Sequence, residues 1–248
     1  MKNNKSKVYI ISIILSILII IPFLMLLQEN AIGRKQLTSE DGFIENLSAF
    51  CFLMASLISF LTFFKSKTIE KKYALKMRKN YFFLLLGILF FFCFGEEISW
   101  GQRIFNVAAT EEIKSINAQG ETNLHNLNIF HSLDKNHKEK KGIALWVTSE
   151  RIFGLFWLCF CLVVPFVFSY SSKLRDFMKR IHLPIVPIWL GIIFLLNYVI
   201  SKIIEKKAMF LDNNPTVEVR ETNFALLFMA LMIYFYLNQN KNENQLNN

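Results

Sequence analysis

Apolar runs of about span length recur along the chain, separated by alternating basic and acidic connections. Six of them read as membrane-spanning helices: Val8–Leu27, Phe43–Phe64, Tyr81–Gly101, Ser149–Tyr170, Leu183–Ile204 and Glu221–Asn238. A span needs about 20 mostly apolar residues to cross roughly 30 Å of hydrocarbon at a helical rise of about 1.5 Å per residue. The expected fold is all-α: a polytopic membrane helix bundle forming one integral-membrane domain over residues 1–238. A disordered, asparagine-rich tail is expected over 239–248. The first run is longer than the apolar core of a signal peptide and lacks a small-residue cleavage site, so it reads as an uncleaved anchor.

The connections fix an expected orientation. Lys2, Lys5 and Lys7 precede the first span, seven basic residues fall between Lys65 and Lys79, and Lys173, Arg175, Lys179 and Arg180 follow the fourth span. These alternate connections are the cytoplasmic ones by the positive-inside pattern, which places both termini in the cytoplasm. The formal charge of +9 is then accounted for by basic loops beside anionic lipid, and nucleic acid is excluded as a partner. Membrane lipids are the expected surroundings, in a bacterial cytoplasmic (inner) membrane.

Composition reinforces this picture. Hydrophobic residues make up 53% of the chain and include 26 Phe, which no soluble domain of this length requires. Cys51, Cys93, Cys159 and Cys161 all fall inside expected spans, and their spacing fits neither a disulfide framework nor a zinc cluster.

The acidic residues are the informative ones. Of 19 Asp and Glu, all but Glu70, Asp176 and Glu243 fall on the side facing outward. The third span runs straight into Glu96 and Glu97, and carboxylates at the end of a span are costly unless paired, hydrated or useful. If the helix continues, Glu96, Trp100 and Arg103 share one face and Glu97 points about 100° away. Two carboxylates in different surroundings are the physical basis for acid and base roles, so Glu96, Glu97, Glu45 and Arg103 are the candidate catalytic residues. Glu45 shares a face with Asp41 and Ser48 at the mouth of the second span. Glu218 and Glu221 share one at the mouth of the sixth. Glu150 and Arg151 open the fourth span, and Lys202 near the end of the fifth is expected to snorkel.

The outward connection 102–148 is the long one, and a connection of this length is expected to be functional or disordered. Its first half keeps Leu124, Leu127 and Phe130 at a spacing that predicts a short amphipathic helix on the membrane surface. The second half, DKNHKEKKG, reads as a solvated linker. The stretch from Asn117 to Asn126 is dense in amides, so Gln119, Glu121, Asn123 and Asn126, with Trp100 and Glu221, are candidate substrate-binding residues. His125 could join Glu96 or Glu97 on a divalent metal such as zinc. His131 would not converge with His125 on one helix.

GEEISWGQRIF, with QGETNLHN farther along, resembles a family of bacterial multi-pass membrane proteins with no assigned activity. That resemblance implies a polytopic fold and a site at these residues, but no chemistry. The double glutamate also resembles the CAAX-processing and bacteriocin-immunity type of intramembrane protease, which carries EExxxR, then FxxxH, then a later histidine motif. Glu96 and Glu97 match its first two positions. Arg103 departs from it, standing at EExxxxxR, and no later span contains a histidine.

Three functions are compatible with these features. One is a hydrolase or transferase acting on a lipid-linked or membrane-embedded substrate at the outward face. The others are a non-catalytic assembly subunit with an outward partner-binding surface, and an ion-coupled transporter. Charges gathered at one face, and the lack of an inverted repeat, count against the transporter.

Overall fold

The structure is a computed structural model of the chain, and it describes residues 2–29, 31–37, 42–66, 79–102, 104–117, 120–130, 140–207 and 215–239. Its elements are helices: α1 Lys2–Gln28, α2 Ala31–Leu37, α3 Phe43–Lys65, α4 Tyr81–Glu97, α5 Glu111–Ile116, α6 Ile143–Trp146, α7 Ser149–Leu158, α8 Val164–Tyr170, α9 Ser172–Arg180, α10 Ile188–Lys207 and α11 Pro215–Leu237. Four helical stretches are long and apolar enough to cross a membrane: Val8–Gln28, Phe43–Lys65, Ser149–Tyr170 and Ile188–Lys206. They mark an integral membrane protein. The 17-residue α4 and the 23-residue α11 complete the bundle.

A helix with three charged residues in its first two turns lies at the centre. α11 buries residues on every side, from Val219 and Arg220 through Phe224, Phe228 and Leu231 to Phe235. Its rings and polar groups explain the placement. Phe228 meets Phe90 of α4 at 5.0 Å and Phe194 of α10 at 4.9 Å between centroids. The Asn223 amide donates to Ile19 O of α1 and to Asn197 Oδ1 of α10, both at 3.0 Å. Asn197 in turn donates to Arg220 O at 3.0 Å, and Thr222 donates to Ile44 O of α3 at 3.2 Å. Each such bond between helices contributes about 0.6–2 kcal/mol in an apolar setting, and together they fix the register of α11 against three neighbours.

Two glycines permit close helix approach. Gly87 of α4 lies under Phe60 of α3, where a Cβ would come within 2.7 Å of the ring, and Ser56 donates to Gly87 O at 2.8 Å. Gly191 of α10 faces Cys161 O, which a Cβ would strike. That carbonyl belongs to a π-helical turn, Cys159–Val163, between α7 and α8. Pro165 has no N–H for the carbonyl four residues earlier, so an ordinary α-turn cannot continue there, and the backbone widens instead.

Several expected boundaries move. The fourth span is helical throughout but interrupted by this wide turn. The fifth begins at Ile188 rather than Leu183, because Pro184 and Pro187 hold the preceding segment extended. The sixth begins at Pro215 rather than Glu221, and within its first turns Arg220 is buried in the bundle. α2 is an additional short helix in the connection between the first two expected spans. The tail 240–248 and the turn at 212–214 lie outside the described residues, as does most of the DKNHKEKKG linker.

Candidate functional site

The start of α3, end of α4, start of α7, end of α10 and start of α11 meet at one end of the bundle. α4 stops at Glu97 and does not continue to Arg103 as the shared-face reading required. Ser99, Trp100 and Gly101 all adopt positive φ, at 46°, 52° and 81°. This turn swings the Trp100 ring back over Gly95, where a Cβ would lie 2.9 Å from the indole. A left-handed conformation costs roughly 1–2 kcal/mol for a residue with a Cβ, and local bonds offset it. Trp100 Nε1 donates to Glu96 Oε1 at 2.6 Å, Ser99 Oγ to Glu121 Oε2 at 2.6 Å, and Thr122 Oγ1 to Ser99 O at 2.6 Å. Arg103 lies outside the described residues, so its role stands as a sequence expectation, as do those of Gln119 and His131.

The loop that follows is not the amphipathic helix expected near Leu124, Leu127 and Phe130. Glu111–Ile116 is helical, and the chain then doubles back so that Asn117 pairs with Leu127 as an isolated antiparallel bridge. The polar side chains close this fold on itself. Asn117 Nδ2 donates to Asn123 O at 2.9 Å, Asn123 Nδ2 to Glu121 Oε2 at 2.6 Å, and Thr122 N to Gln102 Oε1 at 2.7 Å. Glu121, Asn123 and Asn126 are buried. The first two thus shape the loop from within rather than presenting a substrate-binding surface.

Glu96 ties this loop to the bundle. Its Oε2 accepts from Leu124 N at 2.7 Å, His125 N at 2.8 Å and His125 Nδ1 at 3.1 Å, while Oε1 holds Trp100. From the other side, Ser149 Oγ at the start of α7 donates to His125 O at 3.3 Å. Burial works against the charged imidazole. The Glu96 hydrogen bond, with the charges of Glu221, Glu96 and Glu121, outweighs it and raises His125 above its ordinary value. Because Nδ1 faces a carboxylate, it carries the proton, and Nε2 is the nitrogen left for chemistry.

Glu97 points elsewhere. The Ser48 hydroxyl of α3 is its neighbour, and Glu221, Glu218 and Glu45 all bear on it electrostatically. His125 also acts on Glu218 and Glu221. Through-space electrostatics therefore link Glu45, Glu97, Glu218, Glu221 and His125 as one acidic cluster at this end of α3, α4, α11 and the loop. Beside it, Arg220 is buried and paired with Glu150 at 2.7 Å and Glu205 at 3.8 Å. Lys202, expected to snorkel, instead pairs with Glu205 at 2.9 Å. Arg151 stacks over Trp146, 5.1 Å from its centroid.

Among the described residues, no group of three or more His, Cys, Asp or Glu side chains is arranged to hold a metal ion. The donor set seen here, one imidazole with one carboxylate, falls short of the three protein ligands of a catalytic zinc site. Gly95, Ser99, Gln102 and Ser149 position the site without having stood out in the sequence. The visible cues were the glycines flanking this stretch, Gly95 directly before the paired glutamates and Gly101 after Trp100. Comparison with family models, with curated proteins and with solved structures finds no match to this chain.

Proposed function

We propose that the protein is a six-span enzyme of the bacterial inner membrane, with both termini in the cytoplasm, acting at its outward end on a lipid-linked or membrane-embedded substrate. The reaction is hydrolysis or group transfer by general acid–base catalysis. His125 Nε2 takes or delivers the proton, Glu96 orients the ring through Nδ1, and Glu97 supplies the second titratable group from the acidic cluster. Glu45 and Glu221 complete that cluster. Zinc is not part of this reading, because among the described residues no ligand set for it forms.

The observation that carries the proposal is the division of labour between adjacent glutamates. Glu96 is bound to the His125 loop by several hydrogen bonds, while Glu97 faces Ser48, Glu218 and Glu221. Six crossings are supported by α4 and α11 packing extensively against the apolar α3 and by the alternation of basic connections. A second reading, a non-catalytic assembly subunit, is favoured by the self-bonded loop, which offers a partner a preformed surface.

Purified protein in vesicles made from a bacterial lipid extract, followed by mass spectrometry, tests the enzyme reading. Wild-type protein should deplete a lipid species with matching product, and His125→Gln and Glu97→Gln should each lower that rate at least about 100-fold, the scale of general acid–base catalysis. Lipid turnover that persists unchanged in both variants, or an extract that wild-type protein leaves untouched, sinks this reading.

A further inference from the structure

Two segments flanking the His125 loop present large apolar side chains to the outside. Ile104, Phe105 and Val107 follow the left-handed turn, and Ile143, Trp146 and Val147 precede α7. Phe105 is 76% exposed, Ile143 84% and Trp146 68%. Water is a poor environment for surfaces of this kind, and a contiguous apolar patch marks an interaction site.

Chain geometry restricts what can cover them. Phe105 N donates to Gly101 O and Val107 N to Gln102 O, both at 2.9 Å, so the first segment coils back against the end of α4. Only Val147 and Thr148 separate α6 from α7. Even fully extended, a chain advances only about 3.3–3.6 Å per residue, so both segments stay at the level of the helix ends.

The apolar surface is also continuous with a membrane-facing one. Beyond Val147 it runs on through exposed Ile152, Leu155 and Leu158 of α7, within the candidate span Ser149–Tyr170. Arg151 over the Trp146 ring is the kind of pair that suits the headgroup layer, where an indole lies among the glycerol groups and a guanidinium reaches phosphate.

We propose that residues 104–107 and 143–147 seat the outward connection in the interfacial layer of the leaflet at this end of the bundle, so that the partner of this surface is the lipid itself. Glu96 and Ser149 pin His125 between the two seated segments, which sets the imidazole at headgroup depth. That last consequence rests on the enzyme reading above. The seating does not.

Nitroxide labels on cysteines placed singly at Phe105, Ile143, Trp146 and, as a water-side control, Glu112 test the seating in vesicles of phosphatidylethanolamine and phosphatidylglycerol. The background carries Cys93→Ala and Cys159→Ala, Cys51 and Cys161 being buried. At the first three positions, collisions with oxygen should exceed those with a nickel chelate, and at Glu112 the order should reverse. Labels at all three positions that respond like Glu112 overturn the proposal. So do labels shielded from both reagents with spin–spin broadening between chains, which would make a second copy the occupant. Without labels, brominated lipid should quench wild-type tryptophan emission more than that of Trp146→Phe; equal quenching counts against the seat. A seated loop in a protein that turns over no lipid would leave this inference standing and remove only the enzyme reading.

Discussion

Replacing Glu96 by glutamine should loosen the loop without unfolding the bundle. The carboxylate accepts three hydrogen bonds on Oε2, at 2.7, 2.8 and 3.1 Å, and one on Oε1 at 2.6 Å. Glutamine keeps one acceptor oxygen. If that oxygen takes the place of Oε2, the new amide group faces the Trp100 N–H and two donors oppose each other. The reverse orientation sets the amide against three donors and is worse. Losing one bond to a charged group costs about 1.5–3 kcal/mol, and the remaining bonds lose their charge assistance. A local loss of about 2–3 kcal/mol speeds exchange through loop opening roughly 30- to 140-fold, at about 1.4 kcal/mol per factor of ten. Hydrogen exchange read by mass spectrometry on peptides covering Glu121–Asn128 should show this acceleration, with peptides from α3 and α11 unchanged. Trp100→Phe, which removes one donor and leaves the loop amides bound, should accelerate exchange less. Unchanged protection of Leu124 and His125 in Glu96→Gln would refute the claim that Glu96 holds the loop.

Further expectations concern packing, charge and pH. Gly191→Ala should destabilise the protein by about 1–3 kcal/mol or more, the usual scale of overpacking, because its Cβ would strike the Cys161 carbonyl; an unchanged melting temperature in detergent would contradict it. Arg220→Gln should lower thermal stability much more than Lys202→Gln. Arg220 is buried between Glu150 and Glu205, whereas the Lys202 side chain is 40% exposed and its pairing is screened; equal effects would show that burial is not what matters there. Loop docking should also weaken as pH rises. His125 has a raised value in the folded protein, so its contribution is fully present below about pH 6.5 and fades as pH passes through the folded value. Tryptic cleavage within 102–148, normalised to a control peptide, should therefore increase on the alkaline side; cleavage that falls with pH would have the sign wrong.

The four helices long and apolar enough to cross a membrane were legible because lipid imposes length and apolarity on the sequence itself. The start of α11 was hidden for the opposite reason. Glu218, Arg220 and Glu221 break the apolar pattern, and what makes them tolerable within a helix is supplied by Glu150, Glu205 and His125 on other elements. The two glutamates were visible as a site, but their different roles depend on a turn that periodicity cannot reveal. Nothing about Ser99 or Trp100 announces positive φ, and only Gly95 and Gly101 hinted at it. The amide-rich stretch was readable as polar, yet its partners lie within the same loop, so the helix expected from Leu124, Leu127 and Phe130 gave way to side-chain bonding with the backbone.

The central claim is that His125 is held by Glu96 and feels the charge of the acidic cluster, Glu221 above all. Titration of its ring by NMR in isotopically labelled protein in nanodiscs tests this most directly, with His125→Gln identifying the resonance. The account predicts a midpoint above the ordinary histidine value of about 6.5, falling in Glu96→Gln and again in Glu221→Gln. A midpoint at or below the ordinary value, or one that Glu221→Gln leaves in place, would contradict it.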